Sequence, residues 1–266
     1  LVLKRRNSSL ARLAAVLPSI SLYDVSGADL SEPFRRHAKI DAVVHTATCY
    51  GRNGESAVEI FEANTLFPLR LLETSALYHA DTFINTGTIL NSGISEYALS
   101  KHNFLEWGRY FSVKGRIRFV NIRLEHMYGP GDDASKFTSK VIKDCLNNVT
   151  DIRLTPGEQT RDFIYIDDVV AGYNVLLDEA TQQDALFKEY DLGSGRPVTI
   201  REFVETVRKL SGSSTHLYFG AIPYRHGEIM NSAADTEKLT SLGWRCKTTL
   251  TDGIERTIRH ERKSLK

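Results

Sequence analysis

The chain has 266 residues, of which 41% are hydrophobic and 25% charged. This composition suits a domain with a sizeable buried core and excludes a disordered tail, a collagen-like fibre and a coiled coil. With 34 basic and 33 acidic side chains the net charge is +1, so no global field recruits nucleic acid or an anionic membrane, and no apolar run is long enough to span a bilayer.

Leu1 to Leu3 reads as the end of a strand. Asn7 to Leu17 reads as a helix capped near Ser8 or Ser9 and stopped by Pro18. Ser19 to Tyr23 reads as a short strand, Leu30 to His37 as a helix, and Asp41 to Thr46 as a strand buried by its continuous apolar character. The spacing of Ile60, Ala63, Leu66, Leu69 and Leu72 predicts one long helix over Ser56 to Tyr78. A strand at Thr82 to Asn85, a helix at Tyr97 to Phe111 and a strand at Ile117 to Ile122 follow. Strands separated by helices imply crossover connections and a parallel sheet. Beyond Tyr128–Asp133, a loop by its turn residues, helices are expected at Phe137 to Leu146, Ile200 to Leu210, Ala234 to Gly243 and Thr251 to Glu261. No proline-rich or glycine-rich linker divides the chain. Cys49, Cys145 and Cys246 are far apart and form no Cys-x-x-Cys pair. A disulfide framework and a thiolate zinc site are therefore not expected, no other metal site is suggested, and a reducing cytoplasm is the natural setting.

Tyr97-Ala98-Leu99-Ser100-Lys101 stacks a phenol and an ammonium on one helical face. A free phenol titrates near roughly 10, and a neighbouring ammonium favours the phenolate. Such a pair can exchange a proton with a sugar or alcohol oxygen, although the same spacing also arises on solvated helix faces. The preceding strand ends in Asn85-Thr86-Gly87-Thr88. A hydroxyl at the C-terminal end of a parallel strand faces the ligand crevice of such sheets, so Thr88 is a candidate partner for the same substrate oxygen. The alternative for Thr88 is a turn residue satisfying backbone groups.

These motifs resemble the extended short-chain dehydrogenase/reductase family, the NAD-dependent epimerases, dehydratases and ketoreductases of nucleotide sugars. Thr88, Tyr97 and Lys101 match its catalytic triad. Asp24-Val25 resembles the acidic-apolar pair at adenine, Thr46-Ala47-Thr48 the strand end lining the cofactor, and Asn64 the family's helix asparagine. Arg123, Tyr128-Gly129-Pro130-Gly131, the block Arg161 to Val169, Gly193-Ser194-Gly195, Arg225-x-Gly227-Glu228 and Leu242-Gly243-Trp244 occur in the family's order. The resemblance implies an α/β fold with a doubly wound parallel Rossmann sheet and a smaller C-terminal substrate-binding region. The dinucleotide-binding domain would span 1–130 and the substrate region 131–266, with 162–195 returning to the sheet.

Within the family the pattern is most similar to the CDP-abequose and CDP-paratose synthases. Ile89-Leu90 stand where dehydratases carry an Asp-Glu pair, the interval from Thr88 to Tyr97 is short, and His45-Thr46-Ala47-Thr48-x-Tyr50-Gly51-Arg52 and Leu124-Glu125-His126 fit that subgroup. The implied reaction is NADPH-dependent reduction of the C4 keto group of a CDP-4-keto-3,6-dideoxyhexose in O-antigen synthesis. The alternatives are an epimerase with retained NAD and a non-catalytic nucleotide-sugar-binding relative. Tyr97 would donate the proton, Lys101 would hold the nicotinamide ribose and lower the Tyr97 pKa, and Thr88 would orient the carbonyl. Lys4, Arg5 and Arg6, where NAD enzymes carry an Asp, favour NADP over NAD. Arg161, Arg225 and Glu228 would meet the substrate, with Arg225 the better candidate for the pyrophosphate. Phe137 and His126 are open between substrate contact and packing, whereas Asp167 and Asp168 read as fold-holding residues. A homodimer through the helices at Ser56 to Tyr78 and Tyr97 to Phe111 is a further expectation. The resemblance also implies that a strand and a Gly-x-x-Gly-x-x-Gly turn precede Leu1, and that a chain beginning at Leu1 binds NADP poorly.

Overall fold

A computed structural model describes residues 1–26, 29–180 and 186–264. Its centre is a parallel sheet in the order β10 (Phe187–Leu192), β5 (Arg118–Leu124), β4 (Thr82–Thr86) and β3 (Ala42–His45). Two further strands, β1 (Val2–Lys4) and β2 (Leu22–Asp24), pair in parallel with each other. Because side chains alternate along a strand, one sheet feeds two layers. Phe83 and Phe119 point to one side and pack with Leu71, Leu72 and Phe104. Ile84, Val120 and Ile122 point to the other and pack with Val169 and Leu176. Those partners lie on α3 (Phe67–Leu77), α4 (Glu96–Val113) and α6 (Ile166–Ala180), so helices cover both faces and the sheet is doubly wound. A third cluster gathers Tyr128, Phe163, Phe203 and Ile254 from the C-terminal half.

Register is set by two rows of facing side chains. Phe83, Phe119 and Phe187 are paired across β4, β5 and β10. Their rings are stacked and nearly parallel, with centroids 5.7 and 6.4 Å apart. Gly108 on α4 makes this possible, since a Cβ there would come within 2.1 Å of the Phe119 ring. Two residues further along each strand runs a polar row. His45 Nδ1 meets Asn85 Oδ1 at 3.2 Å, Asn85 Nδ2 donates to Asn121 Oδ1 at 2.8 Å, and Asn121 Nδ2 donates to Glu189 at 2.7 Å. A one-residue slip would break both rows.

Several sequence expectations are corrected. Residues 7–17 do not form a helix but two 3₁₀ turns, Ala11–Leu13 and Leu17–Ser19. Ser8 Oγ takes the Arg5 N–H, and local side-chain bonds of this kind compete with helix. The strand at Asp41 to Thr46 is only partly covered, with Val44 exposed on β3 at the end of the sheet. The long helix is interrupted. A π turn at Glu62–Leu66 separates α2 (Ala57–Phe61) from α3, just ahead of Pro68, which has no N–H to continue the ladder. The extra residue rotates the buried face, so Asn64, Thr65, Pro68, Leu71 and Ser75 are buried where Ala63, Leu66 and Leu69 were expected. The helix expected at Ala234 to Gly243 is shortened to Glu237–Ser241. The loop expected from Tyr128 begins one residue late, since Tyr128 closes β6 (His126–Tyr128).

Candidate active site

The site forms at the C-terminal ends of β3 and β4, against the start of α4. Ser95 caps that helix by accepting the Ala98 N–H at 3.2 Å, which sets Tyr97 in its first turn and Lys101 one turn on. β4 is brought close to β5 at Gly87, whose N–H donates to the Ile122 carbonyl at 2.7 Å. A Cβ on Gly87 would meet Asn121 Oδ1 at 2.7 Å. Thr88 follows, nearly buried, with its Oγ1 accepting the Leu90 N–H.

The Tyr97 phenol faces the hydroxyls of Thr88 and Thr48. Burial raises its pKa above the ordinary tyrosine range, and the Tyr50 phenol adds to this. Thr88, Arg52 and Thr48 act in the opposite direction. The expectation that Lys101 lowers the Tyr97 pKa is therefore corrected for the free protein. Lys101 Nζ donates to the Thr86 carbonyl at 3.0 Å, and burial alone pushes its own pKa down to about 8. The cation acting on the phenol is Arg52, whose guanidinium lies 4.5 Å from the Tyr50 ring centroid. That ring sits 5.0 Å from the Tyr97 ring. Gly51, at φ +69, makes the turn between Tyr50 and Arg52. Behind the site lies His45, buried among Phe67, Phe83 and Phe104, with no hydrogen-bond partner for Nε2 among the described residues. Desolvation, and then the Lys101 charge, push its pKa down to about 4, so it is neutral.

The expected cofactor residues divide into two groups. Thr46 and Ala47 are exposed beyond β3, in the crevice position. Asn64 is fully buried: it accepts the Cys49 N–H at 2.7 Å and donates to Cys49 O and Ser100 Oγ. Its amide thus clamps the loop carrying Thr48 onto α4 and is not open to a cofactor. Val25 packs at the edge of the Phe83 cluster, and so it is a core residue in the free protein. Asp24 lies 4.0 Å from Lys4 Nζ and 3.8 Å from Arg6 Nε, and its carboxyl is held below the usual range, chiefly by Ser26. Arg5 and Arg6 line a cleft of about 560 Å³ with Asn7, Ser8 and Ser26.

The expected substrate residues lie in the C-terminal half. Arg161 and Glu228 form an ion pair with each other, and Arg161 also donates to the carbonyls of Thr160 and Ile229. These two residues hold the 222–235 strap to the body instead of standing open. Arg225 is exposed. His126 bonds the buried Glu125 carboxylate at 2.9 Å, and that carboxylate also accepts from Ser232. Phe137 is 40% exposed, with its ring 6.1 Å from Phe203. Asp168 accepts the N–H groups of Lys247 and Thr248, while Asp167 is largely exposed beside Arg256. Sequence reasoning gave no role to Thr86, Arg52 or Tyr173, whose hydroxyl meets Thr86 Oγ1 at 2.5 Å. Only Arg52 left a signal, as part of the Tyr50-Gly51-Arg52 triplet.

Residues 1–193 match the NAD dependent epimerase/dehydratase family. The chain belongs to this family. It is 37% identical over 226 residues to a CDP-abequose synthase of Salmonella typhimurium, covering 82% of this chain and 75% of that one. Among solved structures, a UDP-glucose 4-epimerase of Thermotoga maritima bound to UDP-glucose superimposes with a TM-score of 0.85 at 21% identity, over 99% and 91% of the two chains. A UDP-glucuronic acid 4-epimerase of Bacillus cereus, in complex with UDP-glucuronic acid and NAD, gives 0.82 at 22% identity over 95% and 85%. At these identities the structures establish the shared Rossmann fold.

Proposed function

We propose that this protein reduces the C4 carbonyl of a CDP-linked 4-keto-3,6-dideoxyhexose with NADPH, as a step in making a polysaccharide sugar of the O-antigen type. The observation that carries the reading is the hydroxyl cluster of Tyr97, Thr88 and Thr48 beside a buried Lys101, in a chain 37% identical to a CDP-abequose synthase. The residues fit a nicotinamide dinucleotide. Lys101 spends one of its three donors on Thr86, leaving two for ribose hydroxyls. Arg5 forms no ion pair among the described residues and lines the cleft suited to a 2′-phosphate.

When bound, the dinucleotide supplies the hydride. The chain's own residues do the rest. Thr88 and Thr48 hold the C4 oxygen near the phenol, and Tyr97 gives its proton to the alkoxide as it forms. The raised phenol pKa keeps that proton in place at neutral pH. Arg52 favours the phenolate left behind. Arg225 and Phe137, both exposed, would receive the nucleotide end. The exposed apolar stripe of Val58 and Phe61 on α2 with Leu99, Trp107, Tyr110 and Val113 on α4 supports a homodimer through these helices. The free thiols of Cys49, Cys145 and Cys246 suit a cytoplasmic enzyme, and no helix among the described residues is long and apolar enough to cross a membrane.

The test is stoichiometry. Full-length protein with NADPH and CDP-4-keto-3,6-dideoxyglucose should oxidise one NADPH per sugar reduced. Sugar interconversion without net NADPH oxidation would identify an epimerase instead.

A further inference from the structure

Thr86 ends β4 and faces both helical layers. Phe83 and Asn85 point to the α4 side, so Ile84 and Thr86 point to the α6 side. There the Thr86 hydroxyl shares a 2.5 Å hydrogen bond with the hydroxyl of Tyr173 on α6. The Thr86 carbonyl meanwhile accepts Lys101 Nζ from α4 at 3.0 Å. The same peptide unit carries the Gly87 N–H, which donates to Ile122 O on β5 at 2.7 Å. A peptide is planar, so fixing its N–H and its flanking side chain fixes where its carbonyl aims. Lys101 is 2% exposed, and this carbonyl is its one hydrogen-bond acceptor among the described residues. The Tyr173 phenol is itself withdrawn from water, which pushes its pKa up to about 12, so it remains a neutral hydroxyl. Nothing in the proposed reaction uses it.

We infer that Tyr173 is a positioning residue for Lys101, acting through Thr86 to aim the carbonyl that holds the ammonium. The inference deepens the proposed function and rests on Lys101 as the ribose-holding residue of that site. Groups facing Lys101 are His45 on β3, neutral because of burial and this charge, Tyr97 one turn earlier on α4, and, through Thr86, Tyr173 on α6. A hydrogen bond to the charged form of a buried lysine supports that form. Misaligning the carbonyl therefore lowers the pKa of Lys101 further.

The test follows the Lys101 ¹³Cε signal through a pH titration of full-length, ligand-free protein. The wild-type midpoint is expected near 8. Tyr173→Phe and Thr86→Val, which each delete one hydroxyl with little change of shape, should lower it by about 0.5. The double variant should go no lower than the larger single effect, because both delete one bond. Thr86→Ser, which keeps the hydroxyl, should retain the wild-type midpoint. In the NADPH assay Tyr173→Phe should reduce kcat by about 3–10-fold with KM for the sugar unchanged. A folded Tyr173→Phe protein whose Lys101 midpoint stays at the wild-type value overturns the inference. If wild-type protein reduces no 4-keto sugar, the function is wrong, and the titration still decides the role of Tyr173.

Discussion

The β3–β4–α4 region and the 222–235 strap with the residues that hold it use similar charged and polar side chains to opposite ends. In the strap region, Arg161 and Asp162 are both paired. Asp162, fully buried, accepts the N–H groups of Ser194, Gly195 and Ala234 and the Ser194 hydroxyl. Arg161 is held by a carboxylate and two carbonyls. At the start of α4 the accounts stay open. Among the described residues Lys101 has one acceptor and His45 Nε2 has none, and the Tyr97 phenol meets the hydroxyls of Thr88 and Thr48 and the Tyr50 ring, with the Arg52 charge acting on it. Buried polar groups are normally satisfied, and under the proposed function a bound ligand would supply the missing partners here. The comparison teaches that motif membership does not separate chemistry from architecture. Arg161-Asp162 and Tyr97–Lys101 both belong to family motifs, and only their partners tell them apart.

The largest expected effect that tests this contrast is on the open side. Tyr97→Phe should lower the rate of NADPH-dependent reduction by about 10²–10⁴-fold, with the urea unfolding midpoint unchanged. On the saturated side the pattern reverses. Asp162→Ala strands four donors and should cost about 3 kcal/mol in urea unfolding, while the folded fraction keeps its pH profile of activity. If Asp162→Ala left stability intact, the strap would not be architecture.

A smaller effect separates the regions by pH. The folded pKa of His45, about 4, lies below its ordinary value of 6.5. The unfolded chain therefore takes up a proton that the folded protein refuses. Stability contributed by neutral His45 is full above pH 6.5 and is lost as the pH falls toward 4, by up to about 3 kcal/mol. His45→Phe should flatten the dependence of unfolding free energy on pH across that window. An unchanged slope would mean that His45 is hydrated. The smallest effect concerns the cofactor cleft: Arg5→Ala should raise KM for NADPH several-fold and leave KM for NADH alone, and equal changes in both would place the 2′-phosphate elsewhere.

Much of the central sheet was legible in the sequence because its signals are local. Apolar runs mark β4 and β5, and the Tyr97–Lys101 spacing marks α4. Where reading failed, a longer-range or subtler term won. Pro68 was passed over inside an apparently regular pattern, and the π turn it accompanies rotated the whole buried face. Residues 7–17 have a helical pattern of leucines, but their serines bond local backbone N–H groups and Arg12 reaches the Gly131 carbonyl, 119 residues away. At the site, Thr88, Tyr97 and Lys101 were readable from spacing and resemblance. The Thr86–Tyr173 bond joins a strand and a helix residue 87 apart in sequence, and no local pattern announces it. The capture of Asn64 by the Cys49 backbone depends on loop geometry in the same way.

The central claim is that hydride reaches the sugar carbon whose oxygen Tyr97 protonates. Full-length protein should be incubated with CDP-4-keto-3,6-dideoxyglucose and NADPH deuterated at both C4 positions, and the product sugar examined by proton NMR. The account predicts deuterium at C4 of the sugar, one equivalent per NADPH consumed, and no labelled product from Tyr97→Phe on the same timescale. Product carrying a proton at C4, or label retained entirely in the dinucleotide, would contradict it.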